Sequence, residues 1–279
     1  MDLSAFVSAF DRHVDDALFW LTDHAAFVFD AIRAVLEGLY DGILWLLMLT
    51  PFYAVSILAG LVAWRAMKSP GAGLASALAM GFCWWMGLWP ETMSTLALVV
   101  AASVIALAIS LPLGVLAGLM PRLDRALVPV LDLIQTMPPY IYLLPAIALL
   151  GYGPATALVA TVIVAMPPAV RLTSLGIRRT PNEFIELGHA SGVTPSQMFW
   201  KIRLPFAVPS IMAGVNQSLM MAFGMVVIAG IVGSGGLGET IFSAIRTLDI
   251  AKSIDAAIAI VVLTMVLDRV TQSLARAKR

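Results

Sequence analysis

Seven stretches of this chain, 42–64, 71–89, 93–118, 129–151, 154–172, 207–232 and 253–270, stay apolar for membrane-spanning length. A helix needs about 20 such residues to cross a bilayer. Inside lipid every backbone N–H and C=O must find a partner within the protein, which leaves only helices and closed barrels. A barrel requires alternation with a period of two, whereas these runs are continuous. The expected fold is therefore all-α, with about seven transmembrane helices. Mean hydropathy of +0.93, with 60% hydrophobic and 12% charged residues, agrees. A formal net charge of +0 gives no attraction to nucleic acid.

Lys and Arg in the connections set the orientation, because cytoplasmic loops are enriched in them. With the C-terminal end inside, thirteen basic residues fall inside or at the inner boundary, and four, Arg12, Arg33, Arg246 and Lys252, lie outside. The opposite orientation inverts that ratio. Residues 1–41 are then outside. Phe6, Phe10, Val14, Ala17, Leu18 and Leu21 recur there at helical spacing, while Asp11, Asp15, Asp16 and Asp23 take other faces. This predicts an amphipathic helix at the outer surface, bracing the bundle or serving function directly. No cleavable leader is expected, since residues 1–41 carry eight acids and lack a basic start followed by a short apolar core. The organisation read from the chain is an outer N-terminal segment at 1–41, peripheral spans at 42–90 and a core at 91–275.

Pro112, Pro129, Pro138, Pro139, Pro145, Pro167 and Pro168 fall within the middle spans and predict kinks or local unwinding, through a lost hydrogen bond and a ring clash. Such breaks either pack against protein or line a pathway. Polar residues at membrane depth are costly unless partnered. Asp132, Gln135, Asn216, Gln217 and Ser218 are the candidates, with Asp268 beside Arg269 read as an interfacial ion pair. Asn216 and Gln217 sit too deep to reach water, so they face the bundle interior or a seam between copies. After the sixth span, "GIVGSGGLGETI" at 230–241 predicts a tight re-entrant turn, with Gly233, Gly235, Gly236 and Gly238 as candidates for an external gate.

Catalytic patterns are missing. There is no P-loop, no H-E-x-x-H and no nucleophile elbow, and His13, His24 and His189 are scattered. Cys83 is a lone thiol in an apolar run. No metal or cofactor is expected on this chain. An energy source must therefore be an ion gradient or a partner, and Asp132 is the one embedded carboxylate suited to a gradient.

The polar passage "FIELGHASGVTPSQMFWKIRLP", 184–205, interrupts the apolar pattern. Thr180, Pro181 and Glu183 form a capping-box pattern for a helix over 181–191, and Gly192 is a natural stop. Thr194 and Pro195 open a second short helix. A surface helix pair with apolar residues to spare is either an ordinary loop packed on its own spans or a docking element.

This passage resembles the signature of permease subunits of binding-protein-dependent ABC importers, which reads E-A-A, three residues, G, nine residues, I-x-L-P. Glu186, Gly192, Ile202, Leu204 and Pro205 keep every spacing, while Leu187 and Gly188 stand where the signature has two alanines. "QTMPPYIYLLPAIALLGYG", "MPPAVRLTSLGIRRTPNEFIELG", "LPFAVPSIMAGVNQSLMMAFGMVVIAGIVGSGGLGETI" and "LDRVTQSLARA" resemble the glycine betaine, proline betaine and choline permeases, over roughly 91–275.

The resemblance implies a type I permease fold in the bacterial inner membrane. It also implies a second copy of the chain, two ATP-hydrolysing subunits that hold ATP and Mg2+, and an outer substrate-binding protein. The helices at 181–203 become coupling helices, with Glu186, Leu187, Gly188, Gly192, Ile202, Leu204 and Pro205 as the coupling set. The implied substrates are methylated or quaternary amines such as glycine betaine, choline, carnitine and trimethylamine N-oxide. Aromatic faces suit such cations, and Gln135, Met137, Pro138, Tyr140, Tyr142, Asn216, Gln217, Met220, Met221 and Met225 are the pathway candidates. Two alternatives stay open: an importer permease for another small solute such as an amino acid, and a self-sufficient ion-coupled carrier.

Overall fold

In the computed structural model, which describes residues 12, 13, 16 and 19–276, every regular element among the described residues is helical. In chain order these are α1 (Ala26–Leu49), α2 (Phe52–Met67), α3 (Pro70–Trp85), α4 (Trp89–Leu119), α5 (Pro121–Thr136) and α6 (Leu143–Leu150). Then come α7 (Pro154–Arg178), α8 (Asn182–Ala190), α9 (Pro195–Val232), α10 (Gly236–Thr247) and α11 (Ile250–Arg276). Much of the expected N-terminal amphipathic helix, including Phe6, Phe10, Asp11, Val14, Asp15, Ala17 and Leu18, lies outside the described residues.

Among the described residues four helices, α4, α7, α9 and α11, are long and apolar enough to cross a membrane. Counting each of two bent pairs as one span brings the number up to six, against the seven expected. The run 42–64 is broken between α1 and α2, which meet at 102°, and 129–151 is broken between α5 and α6, which meet at 105°. Both breaks have one cause. Thr50 (φ −83°, ψ 126°) and Met137 (φ −74°, ψ 139°) each precede a proline, whose ring disfavours helical backbone at the residue before it. The run 71–89 contains α3, at 16 residues about as long as α2. Each is roughly 24 Å at 1.5 Å per residue, short of a bilayer core of about 30 Å. Pro112, Pro129, Pro145, Pro167 and Pro168 do not unwind the backbone as Pro138 does, and sit inside continuous helices. Near the buried Pro167–Pro168 pair, Ser110 of α4 donates to the Met166 carbonyl at 3.3 Å.

Helix α7 is the axis of the bundle, lodged between α4 and α9. Small residues let the backbones approach, as packing in lipid requires. A β-carbon built at Gly118 of α4 would lie 2.7 Å from Ile177 Cβ, and one at Gly176 would lie 2.9 Å from Ser210 Cβ of α9. These contacts gather the α8 end of the bundle. At the opposite end Ser94 and Thr95 of α4, Gly153 before α7 and the glycine turn after α9 come together. Helix α1 lies across that far end: its Tyr40 hydroxyl shares a hydrogen bond with Ser94 Oγ, and Arg33 reaches Gly151.

Candidate functional site

At the α8 end the chain builds a ledge. Helix α8 starts at Asn182 without a side-chain cap. The capping box expected at Thr180 is absent, because Thr180 is buried and its hydroxyl donates instead to the Ile177 carbonyl at 3.0 Å. The end of α8 is a Schellman turn, with Gly192 N–H donating to His189 O at 3.1 Å and Val193 N–H to Gly188 O at 3.1 Å. Gly192 holds φ +65°, the left-handed conformation that glycine adopts without steric cost. Thr194 then caps α9 with a complete capping box: Gln197 N–H donates to Thr194 Oγ1 at 3.3 Å, and Thr194 N–H to Gln197 Oε1 at 3.0 Å.

The first turns of α9 are π-helical over Met198–Arg203, with Leu204 N–H bonded to Phe199 O. That wider turn sits just before Pro205, where an α-helical carbonyl would meet the ring. Gly188 faces inward onto this turn, against Met198, Ile202 and Val193. Glu186 and Leu187 face out, Leu187 being 62% exposed. Phe184, Trp200 and Phe206 join it as an exposed apolar surface, with the Phe184 and Phe206 rings 4.8 Å apart. Ile202 and Leu204 are half-buried and Pro205 is exposed. The ledge thus has a glycine-seated inner side and an apolar outer side.

Ion pairs fix α5 beside it. Asp124 accepts from Ser174 Oγ at 2.7 Å and from Arg178 at 2.6 Å, and Asp132 pairs with Arg171 at 2.5 Å. Asp132, the carboxylate that the sequence offered for gradient coupling, is exposed and matched to a cation.

The pathway candidates divide. Gln135, Pro138 and Tyr140 are exposed along the α5–α6 bend, Met137 is half-buried, and Tyr142 donates its hydroxyl to Ile134 O at 2.9 Å. The turn carrying Tyr140 and Tyr142 packs on α7 and α9. On α9, Gln217, Met220 and Met221 are exposed, while Met225 is 1% exposed and lies in the core. Asn216 accepts a hydrogen bond from Thr271 Oγ1 of α11 at 2.8 Å, an inter-helix tie. At the far end Gly233, Gly235 and Gly236 all have positive φ, and Gly235 (φ 76°, ψ −174°) occupies a region restricted to glycine. Thr95 Oγ1 accepts Leu237 N–H at 2.8 Å and Glu239 accepts Gly235 N–H at 2.7 Å, so the turn is tied to α4 and to itself. Gly238 presses on the Val226 carbonyl. Beside the turn opens a cavity of 490 Å³, walled by Tyr152, Ile231, Glu239, Phe242 and Arg246 among others. Sequence reasoning missed this cavity, because its walls come from three places far apart in the chain: the α6–α7 connection, the end of α9 with its glycine turn, and α10.

Among the described residues, no group of three His, Cys, Asp or Glu is placed to hold a metal. Residues 110–279 match the family described as "Binding-protein-dependent transport system inner membrane component". The glycine betaine/proline betaine transport system permease protein ProW of Escherichia coli (strain K12) is 38% identical over 269 residues, covering 96% of this chain and 76% of that protein. The glycine betaine transport system permease protein OpuAB of Bacillus subtilis (strain 168) is 38% identical over 264 residues, 95% of this chain and 92% of that protein. Among solved structures, one described as inward facing conformations of the MetNI methionine ABC transporter superposes with a TM-score of 0.63 at 23% identity. It covers 71% of this chain and 98% of that one, and shows that the fold is shared. By family match and by similarity along nearly its whole length, this chain belongs to the inner membrane components of binding-protein-dependent transport systems, as a transport permease subunit rather than an enzyme.

Proposed function

We propose that this chain is the membrane path of an ATP-driven importer for a quaternary or methylated amine, moving it into the cytoplasm. It works as a pair of identical permeases, with two ATP-binding cassette subunits at the α8 end and a substrate-binding protein at the glycine-turn end. ATP and Mg2+ belong to the cassette subunits. The α8 end is cytoplasmic and the N-terminal segment outer, in keeping with the basic residues around α8. Helices α2 and α3 add two short crossings, for seven in all. The core is 91–275, with 181–203 as the coupling region.

The observation that carries this reading is the ledge. Helix α8 is seated rigidly through Gly188 on the start of α9, so force applied to Leu187 and Trp200 passes directly into a helix that runs the depth of the bundle. A partner's closing motion would tilt α9 against α7 and alternate access to the face bearing Gln217, Met220, Met221 and Tyr140. The glycine turn is the outer gate, and its neighbouring cavity receives solute from the binding protein. The substrate class is supported by relatives named for glycine betaine, carnitine, choline and trimethylamine N-oxide transport. Co-purification with the cognate ATP-binding subunit tests the docking role. Leu187→Asp and Trp200→Ser should abolish it while helical content stays constant, and undiminished co-purification of both would contradict it.

A further inference from the structure

The α2–α3 hairpin carries a feature that transport does not explain. Phe52, at the start of α2, stacks on Trp84 and meets Trp89 at the glycine-turn end of the bundle. The turn between α2 and α3, about 24 Å away along α2, therefore lies toward the α8 end. Arg65 and Lys68 stand exposed there, and among the described residues neither forms an ion pair. Lys68 closes α2 in a left-handed conformation, φ 51°, which few non-glycine residues adopt.

Two connected hollows meet at this turn. Among the described residues, an open depression of 810 Å³ is walled by Leu61, Trp64, Arg65 and Lys68. An apolar groove of 270 Å³ continues from it between the helices, past Ile57, Leu61, Leu74 and Ala77. Its floor is the close crossing of Gly60 and Gly73, where a β-carbon on Gly60 would lie 2.8 Å from the Gly73 carbonyl oxygen. The groove is apolar along about two turns of each helix, and ends at two cations without an ion pair among the described residues, beside the half-exposed Trp64. This is the chemistry of a phospholipid: acyl chain below, anionic headgroup above, with an aromatic ring at the boundary. The short hairpin strengthens the match. Helices of about 24 Å leave their turn at or below the headgroup level of a bilayer core of about 30 Å.

We propose that the α2–α3 hairpin holds one anionic phospholipid, its headgroup between Arg65 and Lys68 and an acyl chain in the groove past Leu61 and Leu74. The site is distinct from the ledge and from the solute path, and anchors the peripheral helices to the bilayer.

The test is lipid binding to the delipidated, detergent-purified full chain, followed by native mass spectrometry. Phosphatidylglycerol should add with one saturable stoichiometry per chain, and phosphatidylcholine should bind there at least tenfold more weakly. A basic residue near a membrane surface contributes on the order of fivefold in affinity, so Arg65→Gln with Lys68→Gln should lose about thirtyfold. Arg65→Lys should retain binding, and Arg122→Gln, an exposed cation elsewhere at the same end, should change nothing. Leu74→Asn, an exposed position in the groove, should weaken phosphatidylglycerol with both cations in place. Inorganic phosphate at millimolar concentration should not displace the lipid. Equal displacement would make this a free-anion site and overturn the proposal. So would undiminished binding in the double variant, or an equal loss from Arg122→Gln.

Discussion

Gly188 on α8 and Met198 at the start of α9 are in such close apposition that a β-carbon on Gly188 would lie 2.7 Å from Met198 Cε. The contact explains why this protein departs from the alanine pair of the resembled signature. Leu187 points outward with 62% exposure while Gly188 seats the helix. The same β-carbon would lie 2.9 Å from Ile202 Cδ1 and 3.2 Å from Val193 Cγ2, so Gly188→Ala overpacks the seat and should cost about 1–3 kcal/mol, limited by the flexible ends of Met198 and Ile202. Gly188→Leu should lift α8 from α9. Thermal unfolding and ATPase co-purification check both: the alanine variant should melt lower but keep the partner, and the leucine variant should lose it.

Gly192 gives a second prediction at the same ledge. No atom crowds a β-carbon there, so only its φ of +65° is at stake. Gly192→Ala should cost about 1–2 kcal/mol from the left-handed conformation, whereas Gly192→Asn should cost less, since asparagine tolerates it. ATP-driven uptake should fall in the order glycine, asparagine, alanine. Equal activity of all three would remove the Schellman turn from the mechanism.

The α4–α7 seam makes a prediction about folding rather than coupling. A β-carbon at Gly118 would meet Ile177 Cβ at 2.7 Å, both on rigid backbone, while nothing lies within 4 Å of one at Gly81. Gly118→Val should reduce folded yield sharply. Gly81→Ala should be neutral or stabilising by up to about 1 kcal/mol, from helix propensity alone. Thermal melts of purified protein separate the two.

How much of this was legible beforehand depended on range. The Gly192 stop and the Thr194 cap are local, and both were readable because their partners lie within a few residues. Thr180 carries the same local pattern but is buried against the end of α7, and tertiary placement sends its hydroxyl to Ile177 instead. The break at Pro138 follows from its proline as expected, whereas the one at Pro51 lies inside a continuous apolar run, where span counting overrode the backbone rule. Pro112 in α4 and Pro167 and Pro168 in α7 do not unwind their helices, because tight packing against neighbouring helices holds the backbone helical through them, and a single sequence does not display that packing. The partner of Asn216 is 55 residues away on α11, and no spacing reports it.

That tie yields a fourth prediction. Thr271→Val removes the donor to Asn216 and should lower stability by about 0.6 kcal/mol, the average for hydrogen bonds between membrane helices. Uptake should remain near wild type. A strong transport defect with unchanged stability would instead place Asn216 on the solute path.

Around Asp124, charge and geometry make a fifth. The carboxylate is 13% exposed and serves both Ser174 and Arg178, while Arg178 is 45% exposed. Asp124→Ala should therefore destabilise more than Arg178→Gln, the latter by less than about 1 kcal/mol for a partly exposed pair. A double-mutant cycle in thermal melts measures the coupling, and equal single effects would contradict the shared role of Asp124.

Energy for transport enters this chain from a partner at the ledge. Uptake of labelled glycine betaine into proteoliposomes tests it most directly, comparing the chain alone with the chain plus its ATP-binding subunit, binding protein and internal ATP and Mg2+. Accumulation should occur only in the complete system and be lost with Leu187→Asp. Accumulation by the chain alone, driven by an ion gradient, would contradict it.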